Sequence, residues 1–357
     1  MIPIRILFAD DSVVNRQKLK KILSLVPDFE VVAVVSNGRL ALSRIPQLNP
    51  DLVILDIEMP EMNGLETLAH IREMYRELPV IMFSSLTETG AAITIQALSM
   101  GANDYVTKPL LSNATSQEEL EKYILEAFEP RIRNLCQKQR AKRFSTKAVP
   151  IHPEQFPKIL PKVQNRVDVV GIGISTGGPN ALTSFFPHFP ASFPVAILLV
   201  QHMPPLFTRY LAERLDQISE IRVVEAETGM VVEAGCAYLA PGNYHMGLET
   251  QAGLTRILLN QDPPENSCRP SVDVLFRAIA QTFGSASLGV IMTGMGQDGL
   301  RGCEWLHEAG GQILAQDEAS SIIWGMPGYV ARAGLADKVL PLNEIGGEIA
   351  NRVLFKR

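Results

Sequence analysis

Val167-Asp168-Val169-Val170-Gly171-Ile172-Gly173-Ile174-Ser175-Thr176-Gly177-Gly178-Pro179-Asn180-Ala181-Leu182 decides how the second half of this chain folds. Residues 167–172 are apolar and rich in β-branched side chains, the composition of a buried strand. Gly178-Pro179 then opens a helix, because a proline in the first turn gives up only an amide the helix cannot use. A strand passing straight into a helix is the βα step of a parallel sheet. Ser175 stands at the apex of that step, and glycines on both sides keep side chains away from it. A serine so displayed meets the requirement for a nucleophile elbow, which points to acyl transfer.

Outward from this turn the alternation repeats. Strands are expected near 167–172, 195–200, 221–225, 288–292, 311–315 and 338–340, which predicts a doubly wound α/β domain. Between 237 and 260, short runs at Tyr238-Leu239-Ala240, His245-Met246-Gly247-Leu248 and 255–259 follow one another without a helical segment. They predict an antiparallel excursion, a hairpin at one edge of the sheet.

A nucleophilic serine needs a base and an oxyanion hole. Among six histidines, His202 ends the strand of 195–200 in Gln201-His202-Met203-Pro204-Pro205, so it is the expected base if that strand neighbours the one before Ser175. Asp298 lies in the glycine-rich loop 293–299 and is the expected orienter of the imidazole. Helix capping is the competing reading of that aspartate. Backbone amides of Thr176 and Met295 are the expected oxyanion donors. Two other chemistries match less well. Gly171-x-Gly173-x-x-x-Gly177 has the wrong spacing for a dinucleotide fingerprint, and His202, His245 and Asp298 lack close metal-ligand spacing.

The first 128 residues carry five strand signals, at 4–9, 31–35, 52–55, 80–83 and 104–107, separated by helical segments, and predict a five-stranded parallel sheet. Ser116 with Glu119 is a capping-box signature, and Leu120, Tyr123, Ile124 and Phe128 share one side of the helix expected to close this domain. Asp10 and Asp11 follow the first strand, Asp56 ends the third, Ser84 the fourth and Lys108 the fifth, so all five converge on the crevice at the carboxyl edge. Three carboxylates held together repel unless a divalent cation or a lysine offsets them. Asp10, Asp11 and Asp56 are therefore candidate Mg²⁺ ligands, Asp56 the candidate phosphoryl acceptor, and Ser84 a donor to the resulting acyl phosphate.

At 357 residues the chain can bury two separate cores. Its 46% hydrophobic and 20% charged residues and net charge of -5 predict a soluble protein, and its apolar runs are too short to insert in a membrane. The N-terminal residues lack a basic and then apolar leader, and the four cysteines show no Cys-x-x-Cys pair, so a reducing, cytoplasmic setting without disulfide framework or structural zinc is expected. Residues 131–166 hold ten Lys or Arg against one acid, Glu154, with Pro150, Pro153, Pro157 and Pro161 in their second half, the character of a basic linker. Nucleic-acid binding is not expected of it, because aromatic residues do not alternate with the charges in the way base stacking needs.

Asp10-Asp11-Ser12, Leu55-Asp56-Ile57-Glu58-Met59-Pro60, Ser84-Ser85 and Lys108-Pro109 resemble a two-component response-regulator receiver. Gly173-Ile174-Ser175-Thr176-Gly177-Gly178-Pro179, Gln201-His202-Met203-Pro204-Pro205, Arg269-Pro270-Ser271-Val272-Asp273 and Gly294-Met295-Gly296-Gln297-Asp298-Gly299 resemble the catalytic domain of the chemotaxis protein-glutamate methylesterases, the CheB family. The resemblance implies a flavodoxin-like receiver at 1–128, a linker at 129–166 and a doubly wound methylesterase domain at 167–357. It implies Asp56 as phosphoacceptor, Asp10 and Asp11 as holders of Mg²⁺, and Ser84 and Lys108 as switch residues. In the second domain it implies Ser175, His202 and Asp298 as a triad with no cofactor for hydrolysis. The implied substrates are glutamyl methyl esters, and also glutamines, on methyl-accepting chemoreceptors, with a chemotaxis histidine kinase as phosphodonor. An unphosphorylated receiver that obstructs the catalytic cleft is also implied. Leu206 stands where a glycine is expected in that family. The residues leave a second class open, a receiver-controlled binding protein with a vestigial triad.

Overall fold

The computed structural model describes residues 2–109, 116–144 and 166–354, the side chains of 138–144 excepted. The chain forms two compact units, 1–150 and 151–357.

In the first unit, β1 (Ile4–Ala9), α1 (Val13–Leu23), β2 (Phe29–Val35), α2 (Gly38–Leu48), β3 (Leu52–Asp56), α3 (Gly64–Met74), β4 (Val80–Ser84), α4 (Glu88–Ser99), β5 (Asp104–Thr107) and α5 (Gln117–Phe144) alternate without exception. The strands pair in the order β2-β1-β3-β4-β5, every pair parallel, which is the flavodoxin-like arrangement. β3 and β4 are buried along their whole length, as strands covered by helices on both faces must be.

α5 departs from expectation. Its capping box forms, Ser116 Oγ accepting from the Glu119 amide at 3.1 Å and Glu119 Oε2 accepting from the Ser116 amide at 2.8 Å. The helix then runs past 128 to Phe144 and through Pro130, so the first part of the expected linker is helical. The reason lies in the apolar spacing, which continues from Leu120, Ile124 and Phe128 through buried Ile132, Leu135 and Cys136. Pro130 removes only one amide from the ladder. Two linker cations are used within this unit: Arg131 pairs with Asp104 at 2.9 Å, and Arg133 with Asp28 and Glu129. The four prolines and the remaining basic residues expected in the linker, apart from Arg166, lie outside the described residues or the described side chains.

In the second unit, β6 (Val169–Ile174), α6 (Gly178–Phe185), β7 (Ala196–Gln201), α7 (Phe207–Ile218), β8 (Arg222–Glu225) and β9 (Cys236–Leu239) come first. A hairpin, β10 (His245–Gln251) and β11 (Leu254–Asn260), follows, then α8 (Val272–Phe283), β12 (Ser287–Ile291), α9 (Leu300–Glu308), β13 (Gln312–Gln316), α10 (Met326–Arg332), β14 (Lys338–Leu340) and α11 (Leu342–Leu354). The main sheet has the order β14-β13-β12-β6-β7-β9-β8 and is parallel throughout. Here Tyr238 corrects the sequence reading. β9 lies between β7 and β8 as a fully buried parallel strand, not in the antiparallel excursion. No helix separates it from β8, which removed the usual signal of a parallel crossover. The antiparallel pair β10–β11 is a sheet of its own, turned by Ala252 and Gly253, both at positive φ (52° and 79°), as a two-residue hairpin loop requires.

α8 fixes the position of the site. Val272, Leu275, Phe276 and Ile279 are completely buried, each worth about 1.5–3 kcal/mol of transfer free energy. They approach β6 at its glycines: a Cβ on Gly173 would lie 2.3 Å from Val272 Cγ1, and one on Gly171 would lie 2.6 Å from Ile279 Cδ1. These glycines thus make room for a helix, which accounts for the partial likeness to a dinucleotide fingerprint.

Candidate functional site

β7, β6 and β12 are neighbours in the main sheet, and the chain order reverses at β6, the point where such sheets open a crevice at their carboxyl edge. Ser175 directly follows β6 and His202 directly follows β7. Ile174 and Gln201 are register partners, and the His202 amide donates to the Ile174 carbonyl at 3.1 Å. The Ser175 amide donates to the Thr293 carbonyl beyond β12 at 2.9 Å. Gly177, at φ 79°, ends the turn where a Cβ would lie 2.5 Å from Ile322 Cγ1. Gly294 lies against the serine itself, since a Cβ there would come within 2.7 Å of Ser175 Cβ.

His202 Nε2 and Asp298 Oδ2 are 2.8 Å apart. The aspartate is buried and saturated: Oδ2 also accepts from the Val272 amide at 2.7 Å, while Oδ1 accepts from Ser271 Oγ at 2.8 Å, Asn266 Nδ2 at 3.0 Å and the Asp273 amide at 3.2 Å. Val272 and Asp273 begin α8, so Asp298 caps that helix from outside. Capping and orienting, weighed as rivals, are performed by one carboxylate, and the helix capped is α8, not the α9 that follows Asp298. Burial disfavours the charge, yet the His202 bond, the imidazole's positive form and these donors hold Asp298 down to about 2. For His202, burial works against the imidazolium, but Asp298 and Cys268 outweigh it and raise its pKa well above the ordinary imidazole range.

Among the described residues no hydrogen bond joins Ser175 Oγ to His202, whose Nδ1 instead faces Cys268 Sγ at 3.7 Å. Catalytic hydrogen bonds often close only around substrate. The Thr176 and Met295 amides likewise donate no hydrogen bond among the described residues, which leaves both free for a developing oxyanion. His245 is buried away from this cluster, its Nδ1 accepting from the Ser271 amide at 3.2 Å.

Sequence reasoning missed Ser271, Asn266, Cys268, Gln201 and Asp273. Gln201 Nε2 holds the Ser175 carbonyl at 3.0 Å. Asp273 caps α9 through the Gly299 and Gly302 amides, at 2.9 and 2.7 Å. Burial raises its pKa, and neighbouring Asp298 raises it further. Ser271 occupies the N-cap position of α8, which was visible in the sequence, but its hydroxyl serves Asp298 and not its own helix.

In the first unit, oxygens of Asp10, Asp11 and Asp56 lie within 4.8 Å of one another. Lys108 Nζ reaches Asp56 Oδ1 at 2.6 Å and Asp10 Oδ2 at 3.2 Å. Asp56 Oδ2 is buried without a hydrogen-bond partner. Burial, aided by Asp10 and opposed by Lys108, raises Asp56 to about 7. An orphaned oxygen in a set of hard carboxylates suits Mg²⁺. Ser84 is turned elsewhere, its Oγ accepting from Thr94 Oγ1 at 2.7 Å and donating toward the Gly90 carbonyl at 3.2 Å.

A flavodoxin-like unit followed by a doubly wound unit with a serine, histidine and aspartate at its switch point defines a response-regulator hydrolase. The sequence pattern of the CheB methylesterase family matches residues 170–349, and that of the response regulator receiver domain matches residues 6–122. A protein-glutamate methylesterase/protein-glutamine glutaminase of Trichodesmium erythraeum is 51% identical over 349 residues, covering 98% of this chain and 99% of its own. One of the same description from a Nocardioides species is 47% identical over 99% of this chain and 96% of its own. The crystal structure of the Thermotoga maritima CheB methylesterase catalytic domain superimposes with a TM-score of 0.51 at 41% identity, over 52% of this chain and 99% of that domain. The chain belongs to the CheB protein-glutamate methylesterase family. Membership brings a receiver whose phosphorylation depends in general on Mg²⁺ and on a kinase phosphodonor. No helix among the described residues is long and apolar enough to cross a membrane.

Proposed function

We propose that this chain hydrolyses glutamyl methyl esters on methyl-accepting chemoreceptors, releasing methanol, and deamidates receptor glutamines, with Ser175 as nucleophile, His202 as base and Asp298 as its orienter. Ser175 Oγ attacks the ester carbonyl carbon while its proton passes to His202. The Thr176 and Met295 amides stabilise the charge gathering on the carbonyl oxygen. His202 returns the proton to the departing methoxide, leaving glutamyl-Ser175. Water then attacks the acyl carbon, giving up a proton to His202, and glutamate leaves as Ser175 is restored. With glutamine the first leaving group is ammonia. Because Asp298 engages Nε2, Nδ1 is the nitrogen that exchanges the proton.

In the receiver, assigned to 1–128 ahead of a linker at 129–166 and a catalytic domain at 167–357, Asp56 Oδ2 accepts a phosphoryl group from a chemotaxis histidine kinase. Asp10, Asp11 and Asp56 would hold Mg²⁺, which would supply charge neutralisation for the incoming phosphoryl group. Lys108 pairs with the product, and Ser84 exchanges Gly90 and Thr94 for the acyl phosphate. Phosphorylation then raises hydrolysis in the cytoplasm.

The observation that supports this reading most is the 2.8 Å His202–Asp298 pair, carried by loops after the two strands that flank β6. The test is methanol release from methylated receptor membranes. Ser175→Ala is expected to lose essentially all turnover, by about 10⁶-fold, and a variant that keeps the wild-type rate overturns the assignment.

A further inference from the structure

Three of the four cysteines, Cys136, Cys236 and Cys303, are buried, whereas Cys268 is partly exposed beside the candidate base. Its loop is fastened on both sides. Asn266 Nδ2 donates to Asp273 at 2.7 Å and to Asp298 at 3.0 Å, and the Cys268 amide donates to the Glu265 carbonyl at 2.8 Å. After it, the Arg269 guanidinium holds Asn243 Oδ1 and the Gln261 and Asp262 carbonyls. A thiol held this way has a set direction, and Sγ lies 3.7 Å from His202 Nδ1.

That separation suits a shared metal ion. Bonds of ~2.3 Å to sulfur and ~2.05 Å to nitrogen, meeting at a tetrahedral angle, put the two donors about 3.5 Å apart. The donor atoms of His202, Cys268 and Asp298 all lie within 4.8 Å of one another. Asp298, with five hydrogen bonds already, has little left to offer a metal directly. It stands where a carboxylate stands behind a metal-ligating histidine, fixing the tautomer from the far nitrogen. One thiolate and one imidazole form a soft set that favours zinc-like ions over Mg²⁺, the reverse of the receiver carboxylates.

We propose that Cys268 Sγ and His202 Nδ1 form an inhibitory site for a thiophilic divalent cation of the zinc class. The cation displaces the thiol proton and the Nδ1 proton of the imidazolium to solvent, binds the sulfur and takes the Nδ1 lone pair that the reaction needs. No electron transfer occurs, and removal of the ion restores the enzyme. The inhibitory half rests on His202 acting as base through Nδ1, while the binding half does not.

The experiment uses the full chain with excess Mg²⁺, so that the receiver carboxylates are kept filled. Co²⁺ titration reads binding through thiolate-to-metal charge-transfer absorption, and Zn²⁺ titration of methanol release reads inhibition. A charge-transfer band is expected in the wild type and not in Cys268→Ser or Cys268→Ala. The half-inhibiting zinc concentration, taken against each protein's own zinc-free rate, should rise more than about tenfold in both variants, and a chelator should restore the wild-type rate. The wild-type band needs no variant to be read, and its absence overturns the site. A band that survives in both variants overturns it too, because the sulfur is then another cysteine. A Cys268-dependent band with undiminished turnover leaves binding intact but overturns the inhibition, and with it the Nδ1 base. Loss of the band with normal zinc-free turnover leaves the proposed function standing.

Discussion

Asp56 and Asp298 are both buried aspartates at the carboxyl edge of a parallel sheet, yet they are perturbed in opposite directions. Asp56 keeps one oxygen without a partner and is raised to about 7, while Asp298 receives five hydrogen bonds and is held down to about 2. Burial acts on each in the same sense, so the neighbours decide the outcome: the His202 imidazole, joined by the other donors, outweighs burial at Asp298, whereas Lys108 does not outweigh burial and the nearby Asp10 charge at Asp56. An under-satisfied carboxylate has a lone pair to give to a phosphoryl group or a cation. A saturated one is inert and acts only as a fixed charge beside the imidazole. The two sites thus place one side chain in two roles through the charges and hydrogen-bond donors set around it.

The sharpest way to break this contrast is Asp298→Asn, which keeps the shape but gives His202 the wrong partner. Methanol release should fall by about 10⁴-fold with little loss of fold, and a loss under tenfold would show that the charge is not used. Ser271→Ala removes one of the five donors. Leaving a buried acceptor short costs about 1–3 kcal/mol, so the second unit should lose about that much stability, and the pH profile of kcat should shift as the Asp298–His202 pair loses one of its supports. An unchanged profile would make Ser271 merely a packing residue.

The opposite shifts also give opposite pH dependence. Asp56 binds its proton more tightly in the folded state, about 7 against 3.8, so the first unit loses stability as pH rises through that interval and the loss is complete above it. Asp56→Asn should abolish this loss. Its advantage over wild type should be on the order of 4 kcal/mol at pH near 8 and vanish near pH 4, read by hydrogen exchange resolved to the first unit. Asp298 is depressed, so its contribution is present above 3.8 and is lost as pH falls toward 2. A first unit that is equally stable across this range in wild type and variant would contradict the unsatisfied Asp56.

The smallest effect concerns Leu206. It precedes α7 at φ 72° and ψ -46°, a region that favours glycine, where the family resemblance implied one. Leu206→Gly should relieve this strain and stabilise the second unit by about 0.5–1 kcal/mol in urea unfolding. Destabilisation would mean that the leucine side chain contributes more than the backbone strain costs.

The local steps of the chain were legible because each is written in a few adjacent residues. Apolar runs gave both parallel sheets, Gly177-Gly178-Pro179 gave the turn at Ser175, and the strand-end positions of Asp10, Asp56, Lys108 and His202 gave their convergence. Less was visible where signals overlapped or were missing. β9 lacked a crossover helix, and the basic run after 128 concealed apolar spacing that carries α5 to Phe144. What only the tertiary structure decided is where each donor points. Ser271, Asn266 and the first amides of α8 reach Asp298 from 25 to 32 positions away, and Cys268 meets His202 across 66. Sequence sets hydrophobic period and turn chemistry, which act over a few residues. Hydrogen-bond saturation and donor pairing depend on which distant segments the packed core brings within about 3 Å, and α8 docked against the glycines of β6 is what brings these together.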